Sequence, residues 1–455
     1  MIPLKQLDNG FVAESVQRLL EHQDHEGLRD LLGELQPFDV ATLLREFEEP
    51  EQLRILSLAP VEIAAEALEH LDFDNQYRLL DHSDEARAKE IIAAMGGDAV
   101  ADLVMAIHPR QAQEILGMVP ERDLASIQYL MTYPESSAGG LMSLDYIAVR
   151  QDWTVDRVIE RFRKVGRDAS ITNYVYIVDR QGRLAGVTSL KEVLLSDPKT
   201  PVSEIMYTKV VDIPVDSDQE EAAKLLSRYD FVALPVVNGA GRLVGVITVD
   251  DILDVIEEED TEDIHKLGGS QPLDVPYMSS SLMTLFSKRI GWLLVLFIAE
   301  ALTGNILKTY EDVLSQVVAL TFFIPLLTDT GGNSGSQAST LIIRAMALGE
   351  VTIKDLGRIL WREMRVGAIL GLAMGTVGFF FSWVIGGSIG IAFTVSITLM
   401  AVLVVSSTIG AALPIIGTKF GVDPAVFSAP LITTVVDATG LLIYFKIASM
   451  VLKLG

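Results

Sequence analysis

The chain has 455 residues, 49% hydrophobic and 21% charged, and its 61 acidic against 36 basic residues set a formal charge of −25. A single hydrophobic core rarely grows past about 250–300 residues, so the length implies several domains. An acidic excess of this size argues against nucleic acid as a partner, because phosphates are met with Lys and Arg, and the absence of cysteine excludes disulfides, thiolate metal sites and cysteine nucleophiles.

The charge is divided unevenly. From Lys288 onward there are 11 basic and 9 acidic residues, a balance of +2, which leaves −27 on the first 287 residues. The acidic part opens without the basic, apolar and small-residue order of a signal peptide, so it is expected to stay in the cytosol.

Residues 1–135 read as an acidic all-α domain, with apolar positions at helical spacing in stretches such as Val61 to Leu68. Turns are marked near Pro37, Pro60, Asp72, Pro109 and Pro120. Their spacing of roughly 25 residues predicts a helical solenoid of short helix pairs, an architecture suited to sensing or interaction.

The pattern then changes. Tyr174 to Val178 is strand-like, Asp179-Arg180-Gln181-Gly182 is a turn, Arg183 to Thr188 is a second strand, and a helix follows from Leu190. The same order returns 59 residues later: residues 176–194 align without gaps to 235–253, with 7 of 19 positions identical. This internal repeat resembles a tandem pair of α/β CBS domains, over about 142–256 and, with its lead-in, 136–256. The starts of the two helices carry Lys191-Glu192 and Asp250-Asp251. Backbone N–H groups at a helix start suit phosphate, but these acids repel it. The bland reading of such a pair is a dimerisation module.

From Asp250 to Asp263 nine of fourteen residues are acidic and none is basic. On a helix Asp251, Asp254, Glu258 and Glu262 share one face, where like charges repel. A divalent cation with hard oxygen ligands relieves that repulsion, and Glu66, Asp98 and Asp102 are available as an opposing face. The competing reading is a solvated acidic face.

Five stretches are long and apolar enough to cross a bilayer: about 289–308, 313–346, 361–386, 390–417 and 424–452. Basic residues flank the first span and gather after the second (Arg344, Lys354, Arg358, Arg362, Arg365), which predicts a cytosolic N-terminus. Glycines at 371, 375 and 378 suit close helix packing. Ionisable groups at membrane depth are few: Glu300, Asp329, Glu363 and Asp437. Such groups usually face a water-filled path or a partner, so Asp437, well inside the last span, is expected in a pore. No nucleophile–base pair, Walker-type loop or zinc-binding histidine spacing is present, so no enzymatic activity is expected.

Taken together, this order of parts resembles the MgtE family of magnesium channels and transporters. The resemblance is carried by Asp329-Thr330-Gly331-Gly332-Asn333-Ser334-Gly335-Ser336-Gln337, by Thr261 to Gly268, and by Asp423-Pro424 through Asp437 to Tyr444. It implies a multi-pass, five-helix transmembrane domain (residues 288–455) in the cell membrane, among lipid. It further implies a homodimer with one pore on its two-fold axis and a connecting or plug helix at residues 257–287. Asp437 is then the pore carboxylate, helped by the Thr433 carbonyl and a break at Gly331-Gly332, with Asp329 and Asn333 also lining the path. The resemblance implies regulatory Mg2+ at Glu66, Asp98, Asp102, Gly140, Glu220, Ser227, Asp230, Asp251, Asp254, Glu259, Glu262, Asp263 and Asp423, closing the pore when Mg2+ is plentiful. ATP is implied as a further regulator, with Phe231 stacking on adenine and Lys191-Glu192 standing where an Arg-Asp pair is expected. The expected function is a Mg2+-selective channel gated by intracellular Mg2+. The alternatives are an ion-coupled transporter of Mg2+, Mn2+ or Co2+, and a membrane-tethered ion or nucleotide sensor.

Overall fold

Among the residues that the computed structural model describes (9–165, 173–273, 277–278 and 280–453), ten short helices precede the first strand. Their ends fall where the sequence marks them. Pro37 and Pro109 open helices at their first position, where the missing N–H costs nothing, and Pro60, Asp72 and Pro120 are the capping residues of three others. Asp72 Oδ1 accepts the Asn75 N–H at 3.0 Å. Alternate helices pack in two rows: His25–Glu34, Glu49–Leu58, Phe73–His82 and Gly97–Ala106 form one, and Pro37–Glu46, Val61–Glu69 and Glu85–Ala94 the other. Leu32, Leu44, Ile55, Leu56, Leu68 and Leu79 fill the space between them and are buried.

Two three-stranded sheets follow. In the first, β1 (Ala148–Arg150) runs parallel to β2 (Tyr174–Val178), which pairs antiparallel with β3 (Leu184–Ser189). In the second, β4 (Ile213–Pro214), β5 (Ala233–Val237) and β6 (Leu243–Thr248) repeat the order. The ladder slips at Ile177/Val178 in one copy and at Val236/Val237 in the other, so even the bulge obeys the offset of the repeat. The turns agree as well. Gly182 and Gly241 adopt φ of +78° and +70°, and the side chains of Asp179 and Asn238 accept the N–H groups of Gln181 and Ala240 at 2.8 and 3.0 Å. The copies clasp each other across a local dyad: Leu184 N–H donates to Gly241 O at 3.0 Å, and Leu243 N–H donates to Gly182 O at 3.1 Å.

The chain divides into two compact units, Met1–Glu257 and Glu258–Gly455, with the boundary inside the helix Val249–Leu267. The connecting helix expected at residues 257–287 ends earlier than that. It stops at Leu267, because Gly268-Gly269 closes it with a Schellman turn: Gly269 sits at φ +72°, Ser270 N–H donates to His265 O and Gly269 N–H to Lys266 O. A new helix, capped by Ser281, starts at Leu282.

Among the described residues of the second unit, four helical stretches are long and apolar enough to span a membrane: Leu282–Thr309, Ile353–Gly386, Ile389–Lys419 and Ala429–Leu452. The remaining expected span resolves into a short helix (Glu311–Gln316), a 3-10 turn (Val318–Phe323) and the 24-residue helix Ile324–Ala347. That helix has the length to cross but carries the polar run from Thr328 to Gln337. It is continuous through Gly331-Gly332, so the expected break is absent. Both glycines are buried, and a Cβ on Gly331 would lie 2.6 Å from Val402 Cγ1, so they serve close packing. Glycine also joins the helices Leu356–Gly386 and Ile389–Lys419: a Cβ on Gly371 would lie 2.9 Å from Met400 Cα, and one on Gly375 3.0 Å from Ser396 O.

This contact sets a test. Gly371→Ala in the purified protein should lower the thermal unfolding midpoint, by overpacking that costs about 1–3 kcal/mol. Gly291→Ala, where nothing lies within 4 Å, should leave it unchanged or raise it.

Candidate functional site

The first unit gathers carboxylates from two parts of the chain. The helices Val61–Glu69 and Gly97–Ala106 bring Glu66, Glu69, Asp98 and Asp102, and the start of Val249–Leu267 brings Asp250 and Asp251. Asp98, Asp102 and Asp251 are half-buried, whereas Glu66, Glu69 and Asp254 are exposed. Asp251 Oδ2 accepts the Thr248 hydroxyl at 2.5 Å, and Glu69 Oε1 accepts the Gly96 N–H at 3.1 Å.

Among the described residues no lysine or arginine is among the charges that shift these groups. Crowding against the protein, reinforced by Asp98, Glu135 and Asp251, pushes Asp102 up to about 7. Glu69 rises to about 7, desolvation being the main cause, with Asp98, Glu66 and Asp251 adding to it against the Gly96 hydrogen bond. Asp251 rises to about 6 and Asp98 is also raised, burial being the main cause in both. Asp254 is raised by desolvation, with His70 opposing.

Among the described residues no three His, Asp or Glu side chains converge closely enough to hold a bare metal ion. Spaced carboxylates without basic partners instead fit a hydrated divalent cation, since Mg2+ keeps several of its waters and is met through one or two carboxylates. Glu69 is absent from the expected set. Its sequence neighbours mark only a helix end, and its part in the cluster comes from Gly96, Asp98 and Asp251 in space.

The other expected positions in this unit are spread out. Gly140 is buried, its Cα so close to the Pro134 and Glu135 carbonyls that a Cβ would lie 2.5 and 2.6 Å from them. Glu220 is exposed and paired with Lys224 at 2.8 Å, and Ser227 is exposed near the end of the helix Gln219–Tyr229. Asp230 caps that helix in the left-handed conformation at φ +53°. Phe231 stacks on Tyr229 with centroids 5.3 Å apart, and Lys191 and Glu192 are exposed at the start of their helix.

In the second unit, Glu262 and Asp423 both meet Lys266, with Asp423 Oδ2 at 2.6 Å from Nζ. Asp423 Oδ1 accepts the Ala425 N–H at 2.9 Å, so both its oxygens are engaged. Glu259 and Asp263 are half-buried on the same helix, and Asp260 pairs with Arg344 at 3.2 Å.

Asp437 lies two turns into Ala429–Leu452, one turn after Thr433, and is half-buried. The Thr433 hydroxyl is turned back onto the Ala429 carbonyl at 2.7 Å. The charged neighbours of Asp437 are Glu300 and Asp329, carboxylates from two other helices. Asp329, Asn333 and Gln337 form an exposed polar stripe at four-residue spacing, and Asn333 Nδ2 donates to Asp329 Oδ2 at 3.2 Å. Gly331 and Gly332 lie on the opposite, buried side of that helix.

The chain is similar to known proteins along nearly its whole length. The model of the MgtE divalent cation transporters matches residues 324–447, that of the MgtE intracellular N domain 35–136, and that of the CBS domain 138–198 and 202–258. The chain is 40% identical over 451 residues to the magnesium transporter MgtE of Thermus thermophilus, covering 97% of this chain and 99% of that protein. It is 33% identical over 421 residues to the Bacillus subtilis magnesium transporter MgtE, covering 92% and 93%. Among solved structures, the cytosolic domain of the Mg2+ channel MgtE in complex with ATP is 41% identical with a TM-score of 0.52, over 53% of this chain and 99% of that one. The soluble part of a magnesium transporter is 25% identical with a TM-score of 0.52, over 55% and 99%.

The raised carboxylates predict a pH effect. An acid that holds its proton more tightly when folded withdraws stability as pH climbs from its unfolded to its folded pKa, here from about 4 to about 7. With a chelator present, the unfolding midpoint of the protein should therefore fall by a few degrees between about pH 5 and about pH 8. Asp102→Asn should flatten that fall, which differential scanning fluorimetry would read.

Proposed function

This chain belongs to the MgtE family of divalent cation transporters, and on that premise we propose that it carries Mg2+ across the cell membrane along a path that passes Asp437. The observation that carries this reading is a carboxylate inside a membrane-spanning helix, with Asp329 and Glu300 as its charged neighbours and an exposed polar stripe on the helix Ile324–Ala347. A carboxylate at membrane depth is costly unless it faces water or a cation. Mg2+ sheds its waters reluctantly, so a filter of carboxylate and carbonyl oxygens that grips the hydrated ion lets it enter and leave.

In this reading the protein is a homodimer with the pore between two copies, and each copy gives its polar stripe and Asp437 to the path. The acidic part faces the cytosol and senses Mg2+. The half-buried Asp98, Asp102 and Asp251, lacking basic partners, support a hydrated ion there, joined by Glu66, Glu69 and Asp254. Ion binding draws the helical domain, the CBS pair and the helix Val249–Leu267 together and favours the closed pore, a population shift set by the ion's preference for that state. Gly140, Glu220, Ser227, Asp230, Glu259, Glu262 and Asp263 contribute further oxygens. ATP acts as a regulator at the CBS pair near Phe231, Lys191 and Glu192. The ATP-bound cytosolic domain of the related Mg2+ channel supports that role.

Mg2+ uptake in a strain lacking other Mg2+ routes tests the path. Asp437→Ala should cut uptake by an order of magnitude or more, and normal uptake would remove Asp437 from it. Patch-clamp recording tests the gate and separates a channel, which shows unitary currents, from coupled transport, which needs a co-ion. Neutralising Asp251, Asp254, Glu259 and Glu262 together should leave conduction on at millimolar internal Mg2+. An unchanged closing response would dismiss that set.

A further inference from the structure

We propose that Lys266 is a positioning residue for the pore: a fixed cation that ties the end of the helix Val249–Leu267 to the start of the last membrane helix. The geometry is direct. Lys266 Nζ lies 2.6 Å from Asp423 Oδ2 and also bonds Glu262, one turn back on its own helix. Asp423 in turn caps the 3-10 turn Pro424–Val426 through Ala425 N–H at 2.9 Å. Ala429–Leu452 begins just beyond that turn and carries Thr433 and Asp437 in its first turns.

A second contact reinforces the tie. The left-handed Gly269 brings its backbone against the first and last membrane helices together, so that a Cβ would lie 2.7 Å from Trp292 Cδ1 and 3.4 Å from Pro430 Cγ. Gln271 N–H donates to Lys288 O at 3.0 Å.

The pair also differs from an ordinary surface ion pair. The side chains of Lys266 and Asp423 are only 26% and 38% exposed. An ammonium has three donors and no acceptor, so it joins two carboxylates much as a cation would. Unlike a free ion it is covalently part of the helix and does not leave when the ion concentration falls. The Glu262–Lys266–Asp423 link is therefore independent of Mg2+. Lys266 thus sets how closely the first turns of the last helix follow the helix that precedes the membrane, and through it the Mg2+ dependence of closing.

The inference rests on the transport reading above, and patch-clamp recording of the full chain with internal Mg2+ stepped tests it. Lys266→Met should raise the Mg2+ needed for half-closure about five- to tenfold, the scale of one part-buried ion pair, with unitary conductance unchanged. Lys266→Arg should stay near the wild type. Combining Lys266→Glu with Asp423→Lys should recover most of the shift that either single change causes. Lys266→Gln, which keeps length and polarity, replaces Lys266→Met if the latter does not elute as the folded protein. Unchanged Mg2+ dependence in the neutral variant overturns the proposal. So does an exchange no better than its single changes, since Asp423 would then act as an ion ligand and not as the partner of Lys266. A wild type that passes no Mg2+ at all would instead overturn the transport reading.

Discussion

Acidic side chains pressed together without basic partners are the constraint around which the first unit is built. Asp98 and Asp102 come from one helix, Glu66 and Glu69 from another, and Asp250 and Asp251 from the helix after the sheet repeat. Burial raises the cost of ionising Glu69, Asp102 and Asp251, and the acidic neighbours add to it. At neutral pH the packing of helical domain on CBS pair works against this repulsion. A divalent cation removes the penalty, and protonation removes it in another way.

The second unit answers its acids with fixed cations. Lys266 meets Glu262 and Asp423, and Arg344 meets Asp260. The same acidic helix is thus unbalanced over its first turns and balanced over its last. Within the membrane helices the division is between packing and polarity: glycine and serine bring backbones together, while Asp329, Asn333 and Gln337 stay on the open side.

Much of this was legible in the amino-acid order. The proline and aspartate turn marks fall on helix starts, and the 59-residue repeat of strand, turn, strand and helix appears as two sheets of the same order. The glycines at 371, 375 and 378 read correctly as close packing, because a four-residue spacing on an apolar helix has few other uses. Gly331-Gly332 was read as a break, since a glycine pair signals either a break or a close approach. Val402 decides between them, and it lies 71 residues away in sequence. The early end of the connecting helix was written in Gly268-Gly269, but the charge pattern drew the boundary too far. Glu69 and Lys266 were illegible for one reason. Their partners, Gly96 and Asp423, are brought to them only by tertiary structure.

The glycine seam between Leu356–Gly386 and Ile389–Lys419 has a mechanical consequence. Backbone already touches backbone at Gly371 and Met400, so the two helices cannot approach further. Turning Leu356–Gly386 by one residue would drive Leu370 or Leu372 into the space that Gly371 leaves empty. Their rotational register is thereby frozen, and the pair behaves as a stator. The seam extends to Ile324–Ala347, because a Cβ on Gly410 would lie 2.1 Å from Gly335 O, so the three helices form one tightly packed block.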